Sequence, residues 1–89
     1  MRVCCKAKVT GKVQGVYFRA STQEQAIDLS LSGYVKNMSD GSVEVLACGD
    51  KNDVEQLTQW LMKGSEYAEV ENVEVKEVEW QDFNHFSIG

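Results

Sequence analysis

Two runs of residues could do chemistry on an anion. The first is Gly11-Lys12-Val13-Gln14-Gly15-Val16-Tyr17-Phe18-Arg19, a glycine-bracketed loop where an alternating segment gives way to a helical one. Such a loop can curl so that successive backbone N–H groups face inward as an anion nest. The helix that follows adds its own free N–H groups and the positive end of its dipole. Arg19 falls in the first turn of that helix, and a guanidinium can hold two phosphoryl oxygens at once. The second run is Gly33-Tyr34-Val35-Lys36-Asn37-Met38-Ser39-Asp40-Gly41-Ser42-Val43-Glu44. Asn37 closes a strand expected to end at the same edge as the loop. Its carboxamide oxygen can accept from a water while its NH2 donates to a phosphoryl oxygen. As bare residues, both runs also have a plainer reading: glycines in a strand–helix loop form turns, and an Asn beside a turn serves the turn.

Other phosphate chemistries fit the chain poorly. A cysteine nucleophile with C-x5-R spacing needs an arginine six residues on, but Cys4, Cys5 and Cys48 lead to Thr10, Gly11 and Val54. Asp50-Lys51-Asn52-Asp53 is no D-x-D pair, and as a calcium loop it carries Glu55 where the turn glycine belongs. Residues 11–19 contain neither His nor carboxylate, so no metal site is expected there, and one His with three Cys and no C-x-x-C makes no zinc cage. Direct attack by water remains, with positioning and electrostatics carrying the catalysis.

The elements that must position these residues are short. The chain has 89 residues, enough for one domain, 1–89, with a thin core. Its net charge of −5 and pI near 4.7 argue against nucleic acid, which needs a basic face. No apolar run approaches the ~20 residues of a membrane span, and the first eight residues lack the apolar stretch of a signal peptide, so a cytoplasmic protein is expected. Locally the field differs: Lys12, Arg19 and Lys36 gather near the proposed edge, while acids concentrate in residues 66–82 as a solvated face. Trp60 and Trp80 are expected to pack, and His85 has no partner in view.

Residues 2–10 alternate, with Val3, Cys5, Ala7 and Val9 on one face, which predicts a strand with one buried side. Phe18, Thr22, Ala26 and Leu29 share one face of a helix over 18–32, with Gly33 as its C′ stop. Residues 34–38 and 42–48 form a hairpin about Ser39-Asp40-Gly41. Asp50 caps a helix that ends at Lys63 before Gly64, with Val54, Leu57 and Leu61 inward. A strand over 71–80 either takes a bulge near Lys76-Glu77, which brings Val78 and Trp80 into phase with Val73 and Val75, or is regular over only part of its length. A short strand holding Phe86 and Ile88 follows. This βαββαβ order predicts a ferredoxin-like α+β sandwich: an antiparallel sheet of four to five strands in the order 4-1-3-2, with both helices on one face. Pairing Val9 with Val43 sets Cys5 opposite Ala47 and Cys4 opposite Cys48, away from the helices, where directly opposed residues are close enough to permit a Cys4–Cys48 disulfide. Two reduced thiols, favoured by a reducing compartment, are the alternative. Cys5 should be a free, buried thiol.

The sequence resembles the acylphosphatase family. Residues 11–19 match the signature G-x-V-Q-G-V-x-F-R without a gap, and residues 33–44 match G-[FYW]-[AVC]-[KRQ]-N-x-x-x-G-x-V-E. The resemblance covers nearly the whole chain. It implies hydrolysis of acyl phosphates to a carboxylate and inorganic phosphate, with no cofactor. It further implies that Arg19 binds the phosphoryl group, that Asn37 positions the water, and that the backbone N–H groups of Gln14, Gly15, Val16, Tyr17 and Phe18 complete the cradle. Phosphate or sulfate should then compete for the site, and a monomer is expected. The rival reading is a non-catalytic anion-binding or regulatory module of the same fold. A wide edge site would recognise chiefly the phosphoryl group, leaving the acyl part weakly specified.

Overall fold

The computed structural model describes all 89 residues. In chain order they form β1 (Arg2–Lys12), α1 (Phe18–Asp28), β2 (Ser32–Asn37), β3 (Val43–Asp50), α2 (Lys51–Lys63), β4 (Glu69–Val78) and β5 (Phe86–Ile88). The sheet order is β4-β1-β3-β2-β5. This is a ferredoxin-like α+β fold, and the expected register holds: Val9 faces Val43, Ala7 faces Val45, Cys5 faces Ala47 and Cys4 faces Cys48. Val3, Ala7 and Val9 of β1 and Val43, Val45 and Ala47 of β3 are buried together with Phe18 and Ala26 of α1 and Val54, Leu57 and Leu61 of α2. Both helices therefore cover one face of the sheet.

Four departures from the sequence expectations have physical causes. The sheet is mixed, not antiparallel throughout, because β5 joins parallel to β2, from Gly33 beside Phe86 to Val35 beside Ile88. β4 and β5 occupy opposite edges, so residues 79–85 must carry the chain across the sheet. They cross on the face away from the helices, near the start of β1: Gln81 N–H donates to Cys4 Sγ at 3.3 Å, and the Phe83 ring stands edge-on to Tyr34 at 6.1 Å. A chain entering at that end must run β5 back up the sheet, which delivers its last residues to the end where α1 begins.

The strap also buries what alternation marks as an outer face. Cys4, Leu46 and Cys48 form a second small core beneath Val78 and Phe83, and Cys4 and Cys48 are joined as a disulfide with Cα atoms 4.1 Å apart. Cys5, on the helix side, is a free thiol but only half-buried; burial, with Glu77 and Glu55 nearby, raises its pKa. Val78 thus needs no bulge near Lys76-Glu77, since it belongs to the other face. The bulge lies lower on β4, where Thr10 pairs with Asn72 and Gly11 with Val70, leaving Glu71 over. It brings Val70 and Val73 onto the same helix-covered side.

The fourth departure is the end of α1. The helix stops at Asp28, and Ser30, at φ 58°, takes the left-handed position. Leu31 N–H reaches Ala26 O and Ser30 N–H reaches Ile27 O, both at 2.9 Å, the paired bonds of a Schellman end. Gly33 has another task. It lies inside β2 at φ 133°, where any Cβ would sit 1.8 Å from the Leu46 carbonyl oxygen.

Candidate active site

The loop between β1 and α1 passes through two left-handed residues, Gly15 (φ 75°) and Tyr17 (φ 61°), the kind of backbone from which an anion nest is built. Gly15 meets that requirement without a side chain. No backbone N–H from Gly15 to Ala20 donates to an acceptor within the protein; the first helical donor is Ser21, bonded to Tyr17 O at 3.0 Å. Tyr17 gives the helix no side-chain cap, and the first turn holds no acid. The positive end of α1 is therefore open, and Arg19 stands on it.

Several contacts hold this loop in place. Val16 is buried in the core, and its carbonyl accepts from the buried Ser65 Oγ at 2.8 Å. Gln14 turns its side chain inward, where Nε2 donates to Met38 O and Ser42 O, each at 2.9 Å. That amide fastens the cradle to the β2–β3 turn. Asp40 shapes the turn by accepting from Ser42 N–H and hydroxyl; these bonds, with Lys8 beside it, lower its pKa to about 2. Asn37 ends β2 just before this turn, paired with Val43 through its backbone, and its exposed side chain makes no hydrogen bond to the protein. It therefore does not serve the turn; Asp40 does. Arg19 Nη1 donates to Gly89 O at 2.9 Å, and Gln23 Nε2 donates to Phe86 O at 2.9 Å. The arrival of β5 thus orients the arginine.

The structure gathers Gly15, Tyr17, Phe18, Arg19 and Asn37 around one cleft of about 370 Å³, together with Val13, Ala20 and Ile88. Gln14 and Val16 do not line it; one ties the loop and the other anchors it. Sequence reasoning does not single out Ser65, Ile88 or Gly89 as site residues, and only Ile88 leaves a trace, as the second apolar residue with Phe86 in a short final strand. Lys12 and Lys36 do not line the cleft either. Lys36 lies on the sheet's other face, 3.6 Å from Glu44 and over the Tyr34 ring. Tyr34 donates to Glu44 at 2.7 Å, which lowers the Glu44 pKa, while burial and that bond push Tyr34 up to about 12.

A second cleft of about 390 Å³ opens on the face away from the helices. Its Lys6, Lys8 and Lys76 are matched by Asp40, Glu44 and Glu74, with Lys8 3.2 Å from Asp40. Balanced charges of this kind leave no net pull on an anion. The cleft at α1 carries Arg19 and no acid, which singles it out. No group of three or more His, Cys, Asp or Glu side chains is placed to hold a metal ion, and no helix is long and apolar enough to cross a membrane.

Comparison with known proteins shows the family. The acylphosphatase family model matches residues 5–88. An acylphosphatase of Colwellia psychrerythraea is 52% identical over 89 residues, covering 100% of both chains. The solved acylphosphatase of Coxiella burnetii superposes with a TM-score of 0.96 at 42% identity, over 99% of this chain and 93% of that one. That of Bacillus subtilis superposes at 0.94 with 36% identity, over 100% and 99%. With both sequence and backbone matched from end to end, the chain belongs to the acylphosphatase family.

Proposed function

We propose that this chain hydrolyses acyl phosphates by direct attack of water at phosphorus. The observation that carries the reading is the run of unpartnered N–H groups from Gly15 to Ala20 beside Arg19 and the free carboxamide of Asn37. The phosphoryl oxygens accept from those N–H groups and from the guanidinium. Asn37 holds a water in line with the acyl oxygen. The water oxygen forms the new P–O bond, the bond to the acyl oxygen breaks, and the carboxylate leaves with that electron pair. No carboxylate or imidazole lines the cleft, so the water's proton passes to a phosphoryl oxygen or to solvent. A carboxylate is a good leaving group, and fixed donors that meet the growing charge suffice for such a step.

The same reading takes the chain as a monomer working in the cytoplasm. Benzoyl phosphate turnover by purified protein in EDTA tests the proposal. Turnover unchanged by the chelator is expected. Phosphate binding without turnover would favour a non-catalytic anion module, and a loss restored by magnesium or zinc would contradict direct attack.

A further inference from the structure

Tyr17 is an expensive residue for its position. Its backbone sits at φ 61°, in the left-handed region where Gly, Asn and Asp fit and an aromatic residue is strained. Nothing in the fold offsets that strain: Tyr17 is 76% exposed, and its hydroxyl makes no hydrogen bond to the protein. Ile88, 42% exposed, lines the same cleft. Two large apolar residues left in solvent at one opening need a reason, and strain of this kind gathers where ligands are held.

The geometry of the substrate supplies it. An acyl phosphate seated by its phosphoryl oxygens on the Gly15–Ala20 N–H groups has its acyl carbon one bridging oxygen from phosphorus. The acyl group must then leave the cradle along the cleft toward solvent, past its exposed lining residues, among them Tyr17 and Ile88. We infer that Tyr17 and Ile88 form an acyl-group subsite, which makes the enzyme select acyl phosphates whose acyl part is aromatic or bulky and apolar. This rests on the functional reading above and revises the expectation that the acyl part is weakly specified. Recognition here comes from the flat ring and the aliphatic side chain. A methyl group offers far less apolar surface to either than a ring does.

The test is the ratio of kcat/KM for benzoyl phosphate to that for acetyl phosphate. Native protein should favour benzoyl phosphate, chiefly through KM. Tyr17→Asn relieves the left-handed strain, so it should fold at least as well, and the ratio should fall about three- to tenfold, the usual weight of one aromatic contact. Tyr17→Phe should keep the native ratio, and Ile88→Ala should lower it by a smaller factor. A native ratio near one would overturn the inference, as would a ratio unchanged in both Tyr17→Asn and Ile88→Ala. Those results leave hydrolysis itself standing. Failure of the native protein to turn over either substrate would instead remove the functional reading and the subsite with it.

Discussion

The two helices of this protein begin in opposite ways. α2 supplies its own cap: Asp50 accepts from Asn52 N–H at 3.0 Å, and Asp53 sits in the first turn against the positive dipole end. α1 has neither, since Tyr17 offers no side-chain acceptor and Phe18-Arg19-Ala20 no acid. The same short chain thus finishes one helix with its own carboxylates and leaves the other ready for a carboxylate's equivalent. A capped helix start serves the fold, whereas, on the proposed reading, the open one beside an arginine serves an anion.

The comparison breaks most visibly at Arg19 and Asn37. Arg19→Gln should lower kcat/KM for acyl phosphate by about a hundredfold to a thousandfold, the scale for losing one fixed donor to transition-state charge. Both KM and kcat should suffer, and inhibition by phosphate should weaken. Asn37→Ala should act on kcat, by about a hundredfold, while phosphate inhibition largely survives. Steady-state kinetics with phosphate as competitor separates the two. Normal turnover by Arg19→Gln would place the site elsewhere.

Next in size is a change that should leave the open helix end alone. The Cys4–Cys48 bond joins residues 44 apart in sequence, which in the chain-entropy model stabilises the fold by on the order of 3–4 kcal/mol. It lies eight residues along β1 from Lys12, roughly 26 Å at ~3.3 Å per residue. Reduction should lower the melting temperature by about ten degrees or more, with turnover at low temperature nearly unchanged. Thiol titration of denatured, air-oxidised protein should find one reactive group, Cys5; three would mean that the bond does not form.

Smaller effects sharpen the contrast between the helices. Ala20→Asp puts into α1 the first-turn acid that α2 already has. Phosphate affinity should drop about tenfold, while stability stays level or rises by a few tenths of a kcal/mol. Asp50→Ala does the reverse to α2: it should cost about 1 kcal/mol of stability and leave turnover as it was. Denaturant melts and phosphate inhibition, measured on both variants, check the pair.

Much of this was legible in the residues. Val9, Ala7 and Cys5 alternate against Val43, Val45 and Ala47; alternation fixes which faces meet, and pairing Val9 with Val43 sets Cys4 opposite Cys48, the register the fold has. Asp50 and Gly64 bound α2 by ordinary capping chemistry. Arg19 and Asn37 stood out by residue type and motif. What could not be read depended on the strap. Residues 79–85 are mostly polar and do not alternate, so nothing in them announces a crossing over Cys4 and Tyr34. Without that crossing, β5 has no direction, Ile88 and Gly89 have no link to Arg19, and Val78 reads as out of phase. Lys36 was misplaced for a simpler reason: one residue from Asn37 in a strand means the opposite face.

The claim on which the rest depends is that the free N–H groups at the start of α1 hold the phosphoryl group. Inorganic phosphate titrated into 15N-labelled protein, followed by amide NMR, tests it residue by residue. The largest shifts should fall on the amides of Gly15 to Ala20 and on the Arg19 guanidinium, with the Asn52 amide at the start of α2 unmoved. Shifts centred instead on Lys6, Lys8 and Lys76 of the open-face cleft, or spread evenly over the surface lysines, would contradict the account.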